Sequence, residues 1–190
     1  LGGTLGWLAA HQGDAVGLWG VGKDHRQKLP AKRGAVHLKL VLDQLAGLEA
    51  KGETTILEAM HQAADQISQR ALVVVVSDFF IEPAKLKQAL QHLRFRRHDV
   101  ALFQVLDAVE LDFTFDRPAR FVDMEGGETL LADPPMIARR YQEVVKKYLA
   151  EMDEAVRTTG VDYQRVMMKE PFEDVLARFL LSRLQSKGRR

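Results

Sequence analysis

Residues 72–80 read LVVVVSDFF, so an apolar run ends in a hydroxyl and a carboxylate, Ser77 and Asp78. A second run, residues 100–106 (VALFQVL), also ends in a carboxylate, Asp107. Thr54 and Thr55 stand just before a stretch with helical spacing. Hydroxyl and carboxylate oxygens are hard donors, the kind that suits Mg²⁺. In open α/β sheets, ligands bind beyond the carboxyl ends of the strands. A loop carrying Thr54 can lie at that same rim, beside Asp78 and Asp107. The same residue types also serve as helix caps. Asp78 can cap the helix that follows it, and Thr54 or Thr55 can cap its own. Glu58 stands three residues after Thr55, as in a capping box.

Other chemistry is thinner. The six histidines are scattered, with no HExxH and no close pair at metal-ligand spacing, so none is assigned a role. No GxSxG elbow, P-loop or GxGxxG occurs. Glu125 and Glu128 could act as paired carboxylates, but a solvated hairpin tip explains them better. The absence of cysteine removes disulfides, thiolate catalysis and thiolate zinc sites, and it fits a reducing compartment. A net charge of +1 gives no electrostatic case for nucleic acid or an anionic membrane surface. The basic cluster at residues 94–98 (RFRRH) complements a helix C-terminus, with nucleic-acid binding the lesser reading. Apolar runs fall well short of the roughly 20 residues that span a bilayer. No signal peptide is visible. The chain starts at Leu1 and runs straight into a helical segment, so it reads as an internal piece of a longer protein.

The elements that must position these residues follow from periodicity. Residues 1–11 read as the tail of a helix stopped by Gly13. Residues 15–21 (AVGLWGV) read as a buried strand whose Gly17 and Gly20 suggest close backbone approach. Residues 22–34 are polar and basic, a loop or short edge hairpin. Leu38, Val41, Leu42, Leu45 and Leu48 form one helical stripe; Leu57, Met60, Ala64 and Ile67 form another, ending near Arg70. Residues 72–76 lack polar alternation, which suits a strand covered on both faces. Pro83 opens a helix with Leu86, Ala89, Leu90 and Leu93 inward. Residues 120–123 and 128–131 flank a hairpin signal. Pro134 opens a long helix that Gly160 stops, residues 161–168 make a last strand, and Pro171 opens a final amphipathic helix. Such alternation argues for a parallel sheet with right-handed crossovers.

One ordered set of blocks adds to this reading. Residues 12–18 (QGDAVGL), 37–38, 52–54 (GET), 72–79 (LVVVVSDF), 93–100 (LRFRRHDV), 105–107, 110–111, 121–123 (FVD) and 161–163 (VDY) follow one another along nearly the whole chain. The series resembles the bacterial domain-of-unknown-function fifty-eight family, a branch of the von Willebrand factor A-like proteins. It is most similar to the short soluble members.

The resemblance implies one domain over residues 1–190, with a hairpin and long-helix excursion at about 117–160. Its fold would be α/β: a Rossmann-like, mostly parallel von Willebrand factor A-type sheet with helices on both faces. It implies a metal-ion-dependent adhesion site at the C-terminal edge, to which Thr54 and Asp78 are the matching positions. Such a site leaves one coordination position open, and a partner's carboxylate fills it. The family's Asp-x-Ser-x-Ser loop occurs nowhere in the sequence. The resemblance places that loop and the first strand before Leu1, so Mg²⁺ is expected in the intact protein and not in this fragment. The strand edge thus left open would be covered by a stretch outside the sequence or by a second copy, a homo-oligomer. The implied function is a non-enzymatic, cytoplasmic protein-binding adaptor. It would work with a MoxR-type AAA+ ATPase, or its client, in assembly or activation of other proteins. A competing reading is a metal-dependent hydrolase or phosphoryl-transfer domain using Asp78 and Asp107.

Overall fold

The computed structural model describes residues 1–21, 27–48, 55–115, 119–122, 129–132 and 134–187. These fall into two compact units, one built from residues up to 59 and one from residue 60 onward.

In the first unit, α1 (Gly2–His11) ends ahead of Gly13, whose φ of +82° is the left-handed conformation glycine adopts without cost. β1 (Val16–Gly20) pairs antiparallel with β2 (Gln27–Lys32). Residues 22–34, expected to form a loop or a short edge hairpin, supply one strand among the described residues, and its partner is β1, which was expected to be buried and is mostly not. A Cβ at Gly17 would lie 2.9 Å from the Leu29 carbonyl oxygen, so glycine here permits the close approach the sequence suggested. Of β1, only Gly20 is buried. α2 (Ala35–Ala46) buries Val41, and its His37 Nε2 lies 2.9 Å from the Val16 carbonyl oxygen.

α3 (Ile56–Gln66) starts directly after Thr55, whose carbonyl accepts the Ala59 amide at 3.0 Å. Its buried positions are Ile56, Met60, Ala63 and Ala64; Met60 and Ala64 belong to the expected stripe, while Leu57 and Ile67 are half-buried.

The second unit is organised by three parallel strands in the order β3 (Leu72–Ser77), β4 (Asp99–Leu106), β7 (Asp162–Met167). The chain therefore has an α/β fold. Its pairing is mixed, because β1–β2 and a second hairpin, β5 (Ala119–Val122) with β6 (Thr129–Ala132), are antiparallel. β4 sits in the middle and is buried on both faces, Val100, Leu102 and Gln104 on one and Ala101 and Phe103 on the other. The expectation that β3 is covered on both faces fails. β3 pairs with β4 alone among the described residues, and Leu72 and Val76 are 45% and 46% exposed. Its β-branched run fixes a strand; it does not supply neighbours.

Helices complete the unit. α4 (Pro83–Phe95) buries Leu86, Ala89, Leu90 and Leu93 completely, the stripe its spacing predicts. α5 (Ala108–Asp112) follows β4 directly. α6 (Pro134–Arg157) packs on α4, and Gly160 at φ +65° lets the chain turn into β7. α7 (Phe172–Lys187) sets Phe179 edge-on against Phe103, with ring centres 5.0 Å apart, while Leu181 and Leu184 of its last turns stay exposed. No helix among the described residues is long and apolar enough to cross a membrane.

Candidate functional site

Because β3 and β4 run parallel with Ser77 level with Gln104, Asp78 and Asp107 emerge from the same C-terminal edge of the sheet. The two carboxylates are used differently.

Asp107 is the N-cap of α5. Its Oδ1 accepts the Val109 amide at 2.9 Å, and Glu110 Oε2 accepts the Asp107 amide at 2.8 Å, closing a capping box. The enzyme reading thus loses one of its two free acids to a structural role.

Asp78 does not cap the helix after it; the N-cap of α4 is Glu82. Instead Asp78 turns back on its own loop. Its Oδ1 accepts the Phe80 amide at 3.3 Å and the Ser77 hydroxyl at 3.3 Å. The Ser77 Oγ in turn accepts the Phe79 amide at 3.0 Å. These short-range bonds are the turn chemistry of serine and aspartate. Both bonds to Asp78 fall on one oxygen, so Oδ2 has no hydrogen bond among the described residues. The side chain is exposed.

The loop is held from below. Phe79 is fully buried in the left-handed region at φ +54°, an uncommon conformation for a bulky residue. The Gln104 amide, fully buried in β4, donates to the Asp78 carbonyl at 2.9 Å. The Tyr163 hydroxyl of β7 donates to Gln104 Oε1, and the Tyr148 hydroxyl of α6 donates to the Phe79 carbonyl. Arg165 reaches Asp153 at 2.8 Å. Burial works against the Arg165 charge, but Tyr163 and Asp153 outweigh it and raise its pKa. Burial pushes the Tyr163 phenol up, and pushes that of Tyr148 up to about 12. Both phenols therefore stay protonated donors at neutral pH.

None of Gln104, Tyr148, Tyr163 or Arg165 is singled out by the sequence. Gln104 did leave a signal, as the one polar residue inside VALFQVL. A polar group there must find partners to be buried without penalty.

Thr54, the other expected ligand, lies outside the described residues, as do Glu125 and Glu128. As a test of Mg²⁺, the described rim offers the Asp78 Oδ2, a hard oxygen that suits such an ion as part of a larger ligand set. The basic cluster is engaged structurally: Arg94 reaches the His98 carbonyl at 3.3 Å, and Arg96 reaches the Ala64 carbonyl at 2.9 Å.

This rim defines an α/β protein with a hydrogen-bonded, carboxylate-bearing loop at the end of a parallel strand. The family model described as Protein of unknown function DUF58 matches residues 1–151, and the chain belongs to that family. β7 and α7 lie past the matched residues. No curated protein and no solved structure gives a significant match.

Proposed function

We propose that the chain is a non-enzymatic, protein-binding adaptor of the von Willebrand factor A-like type. It works with a MoxR-type AAA+ ATPase in assembly or activation of client proteins. The observation that carries this reading is the exposed Asp78 carboxylate with a free oxygen, on a loop fixed by the buried Gln104 amide. A binding surface benefits from such a fixed polar group, because little ordering entropy remains to be lost on association. In the intact protein Asp78 and Thr54 would hold Mg²⁺ with ligands from a strand preceding Leu1. The ion would supply an open coordination position for a partner's carboxylate. β3 pairs with β4 alone among the described residues, and a free strand edge invites pairing with a further strand. A cytoplasmic, bacterial setting belongs to the same reading.

The enzyme alternative has less behind it. Asp107 is committed to its capping box, and catalysis at this rim would need a second free acid or base.

The test is capture of the MoxR-type ATPase from the same organism by the intact protein, with Mg²⁺ or with chelator. Asp78→Ala is expected to abolish Mg²⁺-dependent capture while leaving the unfolding midpoint unchanged. Equal capture by the variant, or capture indifferent to chelator, would sink the metal-bridged adaptor.

A further inference from the structure

We infer that α7 is a dimerisation helix: its stripe of Ala177, Leu180, Leu181 and Leu184 docks antiparallel on the same stripe of a second copy of this chain. The inference stands on α7 alone and does not depend on the adaptor reading.

α7 is apolar on two sides. Val175, Leu176 and Phe179 are buried. At 3.6 residues per turn, a second stripe lies roughly 140° further round the helix. It consists of Ala177, Leu180, Leu181 and Leu184, all exposed, with the three leucines at 41%, 58% and 68%. Scattered exposed leucines need no explanation, but these are contiguous neighbours at spacings of three and four. The spacing of Ala177, Leu180 and Leu184 is that of a coiled-coil seam, with Leu181 on its flank.

Charge identifies the occupant. Within α7, Arg178 is engaged by Glu170 at 2.6 Å and Arg183 by Asp162 at 2.5 Å. The first turn carries Glu173 and Asp174, neither in an ion pair among the described residues. The opposite end is basic in sequence, Lys187 followed by Arg189 and Arg190. A helix with one acidic and one basic end complements a reversed copy of itself, whereas a parallel copy would set like charges side by side. A twofold interface demands such self-complementarity. In the antiparallel pair, a twofold axis level with Ser182 sets Leu180 against the second copy's Leu184, and Leu184 against its Leu180. Two leucine layers close the centre, flanked by Leu181. Beyond Ala177, the acidic first turn then runs toward the second copy's basic end. An interface of one helix pair is small, so association is weak and reversible, in roughly the micromolar range. Each dimer would present two Asp78 loops, which favours a partner that repeats its own surface.

The test is sedimentation velocity on the chain from low to high micromolar concentration. A monomer–dimer equilibrium is expected, with the dimer lost in Leu184→Glu. That residue is exposed, so the variant should keep the wild-type unfolding midpoint. Added salt should weaken dimerisation severalfold, because the charges at the helix ends are screened. Direction is read by disulfide trapping, which is unambiguous because the sequence has no cysteine. A mixture of Leu180→Cys and Leu184→Cys chains should form a mixed covalent dimer. Ala177→Cys alone should not, since the two copies of residue 177 stand about 15 Å apart along an antiparallel pair, beyond the reach of a disulfide. Monomer at every concentration overturns the proposal and leaves the stripe to a different protein. A dimer untouched by Leu184→Glu, or one that links as readily through Ala177→Cys alone, overturns it as well.

Discussion

The segments that follow β3 and β4 are built alike and end differently. Each begins with an aspartate at the strand's end, Asp78 or Asp107. Each passes through a left-handed phenylalanine, Phe79 at φ +54° or Phe113 at φ +49°. Each is tied to α6 by a tyrosine hydroxyl, Tyr148 to the Phe79 carbonyl and Tyr141 to the Glu110 carbonyl. The difference lies in where the carboxylate goes. After β4 it is consumed by a helix cap, and after β3 it stays at the surface with one oxygen free. A shared scaffold thus makes one segment structural and leaves the other available for binding.

The largest effect should come from the buried phenylalanines. Phe79 is fully buried and Phe113 is 9% exposed. Phe79→Ala is expected to cost about 3–5 kcal/mol in urea unfolding, the usual price of emptying an aromatic site. Phe113→Ala should cost less, because its ring packs near the surface on Phe115 and Tyr141. A larger loss at Phe113 would mean that the segment after β4 is the more deeply anchored of the two.

A smaller effect separates the aspartates. Asp107→Ala removes a capping box and should destabilise the chain by about 1 kcal/mol. Asp78→Ala removes two long, exposed turn contacts and should stay within about 0.5 kcal/mol of the wild type. Matched losses at the two positions would erase the division between a spent and a free carboxylate.

That division was partly written in the sequence. Asp107-Ala-Val-Glu110 has the spacing of a capping box, whereas Asp78 is followed three places on by Ile81, which cannot reciprocate. The stripe of α4, the span of β4 and the stop at Gly160 were legible for a similar reason: each rests on local periodicity or on one glycine. The exposure of β3 was not legible, because an apolar run reports what a strand would bury and not which neighbours it has. The grip of Gln104 on the Asp78 carbonyl was hidden for a third reason. It depends on tertiary packing between elements distant in sequence, which periodicity does not encode.

The most selective effect concerns the two tethers from α6. Burial raises the pKa of both phenols, that of Tyr148 to about 12, with Tyr163 and the nearby Asp78 carboxylate adding to the rise and the Ile81 backbone opposing it. A phenol whose folded pKa exceeds its unfolded value contributes stability that is whole below the unfolded pKa of about 10. That contribution drains away as pH climbs through the folded value, because the unfolded chain loses its proton first. Urea unfolding midpoints should therefore fall between about pH 10 and 12. Tyr148→Phe should flatten the upper part of that fall, and absorbance titration should lose its last phenolate to form. Tyr141→Phe should leave the upper part in place. Because Asp78 faces Tyr148 electrostatically, Asp78→Asn should bring the last phenolate to lower pH. If that titration ignores the charge at Asp78, the free carboxylate does not sit over the tether, and the loop after β3 is less closely braced than its hydrogen bonds imply.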